Sequence, residues 1–360
     1  MSFKKVTIIG GGNIGTQFAC ICASKGCEVT VFSSKSEVYD GELEVVDENE
    51  KVTTGKIAKA TSDMAEAMEG CQLVFVALPA FLLKKAADQM LPYIKEGVSI
   101  CVLPGTGGAE FAFRDCIKAE ATLCGLQRVP TVARLEKYGK RVRCEGLRDS
   151  LHLASIPTEK ADGLAAFVSM LFGIPCHTLP NYLSVTLTPS NPILHTTRLR
   201  TLFADYTDGK VYKRNPLFYG EWSDASSELL FACDEELQQM CSQIAELDLH
   251  DVRSLKLHYE SDTIPDLTAK MRSIKSLHNL SSPMKQVEGG WVPDFKSRYF
   301  TADFPFGLAI IEELAGIVGT EIPNIHATMD WYREVTGDKS RLELSDYGIR
   351  TVEDLYKLYR

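Results

Sequence analysis

Two short stretches in the second half of the chain hold residue types that move protons and grip carboxylates. The first reads Thr188-Pro189-Ser190-Asn191-Pro192-Ile193-Leu194-His195. Ser190 or Asn191 can cap a helix with Pro192 in its first turn. Asn191 and His195, four apart, then lie one turn along the same face. The second reads Lys296-Ser297-Arg298-Tyr299-Phe300-Thr301-Ala302-Asp303-Phe304-Pro305. Pro305 opens a helix over 306–318, which sets Arg298 and Asp303 in the loop leading to its N-terminus. An imidazole shuttles protons near neutral pH, and a neighbouring carboxylate keeps it basic. Each residue also has an ordinary use: a histidine as a polar or core group, an aspartate as a helix cap or dipole partner, an arginine as a surface charge. The stretches are about a hundred residues apart, and spacing alone does not join them.

A third feature stands at the N-terminus, where the apolar run Val6-Thr7-Ile8-Ile9 feeds into Gly10-Gly11-Gly12-Asn13-Ile14-Gly15. Gly10, Gly12 and Gly15 make a G-x-G-x-x-G pattern between a strand and a helix. Gly10 permits the tight turn, Gly12 lets the backbone approach a pyrophosphate, and Gly15 lets helix and strand pack closely. The helix N-terminus, Asn13 and Ile14 included, offers N–H groups and a positive dipole end to phosphates. A second strand, 28–32, ends in Ser33-Ser34-Lys35. NAD-preferring domains carry an acid here for the ribose 2′-hydroxyl; hydroxyls and an amine suit a 2′-phosphate instead, so the reading is NADP(H) over NAD(H).

The elements that position these groups fall into two kinds. Apolar runs at 72–78 and 98–103 read as buried parallel strands. They end at Pro79-Ala80 and at Pro104-Gly105-Thr106-Gly107-Gly108. The second loop serves a ligand at the strand C-termini or a turn needing positive φ, and both uses are compatible. Segment 40–60 reads as an excursion with short strands, and Ser62 caps a short helix. Strands follow near 129–133, 141–144 and 152–155, then an amphipathic helix at 160–172. From Thr188 onward the pattern is helical, at 223–247, 251–258, 264–277, 306–318, 325–335 and 351–360. The expected fold is therefore α/β plus all-α: a Rossmann-type doubly wound domain, 1–180, followed by a helical catalytic and substrate domain, 181–360.

A length of 360 residues fits two such domains. The net charge of -9 argues against nucleic acid as a partner. No apolar run spans a bilayer, and the chain enters a strand at once, with no signal peptide apparent. Eleven cysteines without a C-x-x-C spacing argue against metal and read as buried thiols of a reducing, cytoplasmic protein.

At the two C-terminal clusters the chain resembles the octopine/nopaline-type opine dehydrogenases, across most of its length. The glycine loop, the strand ends at 76–80 and 104–108, Asn191-x-x-x-His195, and Arg298-Tyr299-Phe300-x-x-Asp303 followed by Gly307-Leu308 carry the resemblance. It implies an NAD(P)H-dependent oxidoreductase acting on CH–NH donors. An amino acid or amine condenses with a 2-oxo acid to an imine, which is reduced. It further implies His195 as general acid/base, Asp303 holding its other nitrogen, Arg298 on a substrate carboxylate, and Asn191 orienting the oxo group or amine. Arg198, three after His195, is a second candidate carboxylate contact. Gly10, Gly12, Asn13, Ile14, Gly15, Ser33, Ser34, Lys35, Pro79 and Gly105 would surround the cofactor. Segment 128–150 should meet substrate, with Thr131 and Arg134 as its candidates.

Three other readings share the two-domain plan. A simple 2-oxo acid reductase of the ketopantoate or glycerol-3-phosphate type would use a lysine on the helical domain, and the basic candidates here are arginines. An imine reductase taking a simple amine would need one carboxylate site. A non-catalytic NADP(H) sensor would dispense with the His195–Asp303 pair. The amphipathic tail 347–360 offers a dimer face, and a monomer stays open.

Overall fold

The computed structural model describes residues 3–189, 191–338 and 343–360. Ser190, one of the two expected caps, lies outside them. Two compact units form. The first runs to Thr186 and takes in Tyr359–Arg360; the second is Leu187–Leu358. This differs from a division at 180/181. Tyr182 donates its hydroxyl to the Gly105 carbonyl at 3.0 Å, and Thr186 donates to the buried Glu110 carboxylate at 2.5 Å. Tyr359 bonds the same Glu110 oxygen at 2.6 Å, which fixes the C-terminal residues to the first unit.

The first unit is built on twelve strands: β1 (Lys5–Ile9), β2 (Glu28–Phe32), β3 (Glu42–Val46), β4 (Val52–Lys56), β5 (Lys59–Thr61), β6 (Leu73–Val76), β7 (Ser99–Val102), β8 (Thr122–Leu126), β9 (Val132–Lys137), β10 (Arg141–Glu145), β11 (Leu151–Ile156) and β12 (Cys176–Thr178). Eight of them form one sheet in the order β12-β11-β8-β7-β6-β1-β2-β5, parallel except where β11 meets β8. Strands β1, β6 and β7 are apolar because helices cover both faces of a parallel sheet. The order reverses at β1, so the glycine loop after it sits at the switch point where open sheets bind ligands.

The excursion is larger than short strands alone. Strands β4-β3-β10-β9 form a second, four-stranded sheet packed on the helix Asn13–Ser24. The segments expected near 129–133 and 141–144 therefore leave the main sheet. Small residues allow this packing: Cys20 of that helix directs its thiol at the carbonyls of Leu43 and Thr53, 3.3 and 3.4 Å away. Asp63, rather than Ser62, caps the helix Met64–Met68 by accepting from the Ala65 and Glu66 amides.

The second unit is helical, with one hairpin, β13 (Met284–Val287) and β14 (Gly290–Pro293), that the helical periodicity did not reveal. Its centre is the helix Asn191–Leu202, buried from Pro192 through Leu199. Thr196 and Thr197 survive there because their hydroxyls bond back to the carbonyls of Pro192 and Ile193, at 2.6 and 2.7 Å. The helix Asp224–Gln243, capped by Ser223, packs beside it. No helix among the described residues is long and apolar enough to cross a membrane.

Candidate active site

The helical unit joins the two distant stretches. His195 points from the buried helix with its Nδ1 2.8 Å from Asp303 Oδ2. Only 10% of the His195 side chain and 17% of the Asp303 side chain are exposed, so solvent does little to screen the pair. Asp303 is held differently from the expectation of a loop. Arg298–Thr301 is already one helical turn, and Phe304–Leu308 is a π-turn that runs directly into the helix Ala309–Val318. The Leu308 amide donates to the Asp303 carbonyl at 2.9 Å, five residues back. Pro305 explains the irregularity, because it has no N–H to continue an α-helical ladder. Gly307 lets the turn approach the start of the His195 helix; a Cβ there would lie 2.9 Å from Pro192 Cβ.

A third group completes the arrangement. The Tyr219 hydroxyl is 3.0 Å from His195 Nε2. A carboxylate only accepts, so Nδ1–H donates to Asp303; in a neutral ring Nε2 is then the acceptor for the Tyr219 hydroxyl. Burial foremost, with Tyr299, Tyr259 and Asp303 adding to it, holds the Tyr219 phenol well above its usual range and therefore protonated. The imidazole is sandwiched further by Tyr299, at 4.5 Å between centroids, and by Phe218, edge-on at 5.6 Å. Tyr299 was visible beside Arg298 in the sequence. Tyr219 gave no signal, because it lies in an irregular turn 24 residues after His195.

Arg198 has another use than meeting substrate. It is 3% exposed, and its donors go to the Phe218 carbonyl (2.9 Å), the Glu221 carbonyl (2.8 Å), the Leu217 carbonyl and Ser226 Oγ (3.1 Å). The guanidinium thus clamps the turn that presents Tyr219 to His195. Desolvation lowers it to about 10, the expected direction for a buried cation. Arg298, in contrast, is exposed, and its guanidinium makes no hydrogen bond or ion pair among the described residues. Asn191 is exposed at the first position of the His195 helix.

In the first unit, Gly15 stands so close to the turn that a Cβ would lie 1.8 Å from the Gly10 carbonyl oxygen, while nothing lies within 4 Å of the Cβ position of Gly12. Gly12 is the N-cap of Asn13–Ser24 and has no side chain to satisfy the first-turn N–H groups. An open glycine before unsatisfied amides fits a pyrophosphate. Asn13 also uses its side chain, accepting from the Leu135 amide at 2.9 Å. Ser33 is buried after β2, whereas Ser34 and Lys35 are exposed; Pro79 is partly exposed after β6. Gly105 does not front an open cradle: its N–H donates to Leu126 and its carbonyl accepts from Tyr182. The following Gly107 and Gly108 have φ of +84° and +70°, so that loop meets a turn requirement. Thr131 is buried and bonded by Gln17, and Arg134 is exposed and bonds the Ala133 carbonyl.

Residues 178–336 match the NAD/NADP octopine/nopaline dehydrogenase alpha-helical domain, and residues 5–106 match the NAD-dependent glycerol-3-phosphate dehydrogenase N-terminus. Octopine dehydrogenase of Mizuhopecten yessoensis is 29% identical, over 92% of this chain and 90% of that protein. Opine dehydrogenase of Haliotis discus hannai is 26% identical, over 93% and 91%. A solved structure of octopine dehydrogenase with NADH and agmatine superposes with a TM-score of 0.87 at 26% identity, over 98% of this chain and 97% of that one. With a Rossmann unit, a helical unit of this type and relatives matched along nearly their whole length, the chain belongs to the NAD(P)-dependent octopine/opine dehydrogenase family of oxidoreductases acting on CH–NH donors.

Proposed function

We propose that this chain condenses an amino acid or amine with a 2-oxo acid and reduces the product, with His195 as its general acid/base. The observation that carries the reading is the buried His195–Asp303 contact of 2.8 Å, made between segments that have no local reason to meet. Protonated His195 donates at Nε2 to the oxo or carbinolamine oxygen, which leaves as water when the C=N bond forms. Asp303 supports the imidazolium and fixes which nitrogen reacts. Tyr219 holds Nε2 in place until a substrate oxygen takes over that bond. Arg298 receives a substrate carboxylate on its unpaired fork, and Asn191 orients the oxo group or the amine. The bound nicotinamide supplies the hydride that completes the reduction. Amine, 2-oxo acid, hydride and one proton give a secondary amine dicarboxylate and water when the amine partner is an amino acid.

The dinucleotide would rest on Gly10, Gly12, Gly15 and the amides of Asn13 and Ile14, with Pro79 at the neighbouring strand end. Ser33, Ser34 and Lys35 place hydroxyls and an ammonium where an NAD-binding domain carries an acid, so NADP(H) is the preferred cofactor of this reading. The test is oxidation of NADPH and NADH across a matrix of 2-oxo acids with and without amino acids. Turnover only with both partners supports the assignment and ranks the cofactors. Turnover with a 2-oxo acid alone would overturn it in favour of a simple oxo-acid reductase.

A further inference from the structure

Two tyrosines stand over the glycine loop although neither belongs to the strand–turn–helix motif. A Cβ on Gly11 would lie 2.2 Å from the Tyr39 hydroxyl oxygen and 2.6 Å from that of Tyr138, so only glycine fits beneath them. Their rings meet edge-on at 6.0 Å. The Tyr138 hydroxyl is 2.8 Å from Ser33 Oγ, and the Lys35 amide donates to the same Ser33 oxygen at 3.1 Å. Lys35 Nζ lies 5.4 Å from the centroid of the Tyr138 ring. The Tyr39 hydroxyl is buried with no hydrogen-bond partner among the described residues. Burial, then the neighbouring Tyr138, pushes that phenol well above its usual range, so it remains a donor.

Tyr138 is delivered by the tip of the β9–β10 hairpin, which is tied on two sides. Leu135 of β9 donates to Asn13 at the helix start, and Lys140 pairs with Asp40, 3.2 Å away, beyond the end of β2. The hairpin tip therefore keeps a fixed station between the glycine loop and Ser33. In a dinucleotide fold the adenosine ribose occupies this station, its 2′ group toward the residues that follow the second strand.

We propose that Tyr39 and Tyr138, with Ser33 and Lys35, form the subsite for the 2′ group of the adenosine ribose, and that Tyr138 is its specificity-determining residue. The proposal rests on the NADP(H) reading above. Three hydroxyls converge with the Lys35 ammonium against the ring of Tyr138, and among the described residues neither tyrosine hydroxyl is bonded to a carboxylate, which suits a phosphate better than a bare hydroxyl. The buried Tyr39 hydroxyl stands beside those of Tyr138 and Ser33 without closing a full hydrogen bond to either, so it is the group such a ligand would complete.

Calorimetric titration of the full chain with 2′,5′-ADP and with 5′-AMP, which differ only in the 2′-phosphate, tests this without turnover. Wild type should bind 2′,5′-ADP more tightly, and Tyr138→Phe should narrow the ratio about ten-fold, as for one charge-assisted hydrogen bond. Lys35→Gln, at an exposed position, should narrow it too and guards against a folding defect in the first variant. An unchanged ratio in Tyr138→Phe overturns the proposal. Equal binding of both fragments by wild type overturns the NADP(H) reading instead. Tyr138 then loses its specificity role and keeps its place in the ribose subsite only if Tyr138→Phe weakens 5′-AMP.

Discussion

Replacing Asp303 by asparagine removes one charge while keeping the size of the side chain. The carboxylate lies 2.8 Å from His195 Nδ1, and both side chains are less than a fifth exposed. An imidazolium and a carboxylate with charge centres about 4 Å apart attract by about 4 kcal/mol at an effective dielectric of about 20. If that attraction is present in the transition state and absent from the neutral ground state, its loss slows the proton transfer by about a thousand-fold. Asparagine adds a second defect, since its amide can turn its NH2 toward Nδ1 and favour the wrong tautomer. The assay is the fall in reduced-nicotinamide absorbance at saturating substrates, with cofactor binding and thermal unfolding measured on the same preparation. A loss below about ten-fold in kcat, with folding and cofactor binding intact, would refute the role given to the pair.

The remaining predictions address the groups around it. Arg298→Lys should raise KM for the acid substrate by about ten-fold with a smaller effect on kcat, because the bidentate fork is lost; an unchanged KM removes Arg298 from the substrate site. Tyr219→Phe should lower kcat by about ten-fold or more while leaving cofactor affinity alone, since the ring remains and only the hydroxyl at Nε2 goes; wild-type kcat would show that His195 needs no second anchor. Arg198→Met should reproduce the Tyr219→Phe defect and also destabilise the fold by about 3 kcal/mol, because three carbonyls of the 217–221 turn lose a charged donor; full stability would contradict the clamp. Burial pushes the Glu110 carboxyl up to about 6 from an ordinary 4.5. Its folded-state value is raised, so the stability it contributes is complete below about pH 4.5 and is lost as pH rises through about 6, by roughly 2 kcal/mol. Glu110→Gln keeps an acceptor for Thr186 and Tyr359 and should be the more stable protein in urea at about pH 8, with little difference at about pH 4.5; a wild-type advantage at about pH 8 would reverse the sign of this argument.

Local chemistry made part of this protein legible in its residues alone. The glycine loop reads directly because turn, strand and helix are consecutive, and Gly10 to Gly15 are constrained by neighbours a few positions away. The run Leu73–Val76 and most of the helix Asp224–Gln243 read for the same reason, since periodicity is short-range. The residue types of a proton-transfer pair were also visible in His195 and Asp303. Their meeting across 108 residues was decided by packing, with Gly307 set against Pro192 and a π-turn around Pro305 that no spacing rule foretells. The same holds for Tyr219, which reaches His195 only because Arg198 gathers the carbonyls of its turn. Arg198 itself shows the limit most plainly: its place one turn after His195 suggested a substrate contact, yet burial obliges a guanidinium to spend its donors on whatever acceptors surround it. Strands β3, β4, β9 and β10 likewise carry ordinary strand sequences, and which sheet they join depends on the small surface of a helix elsewhere in the chain.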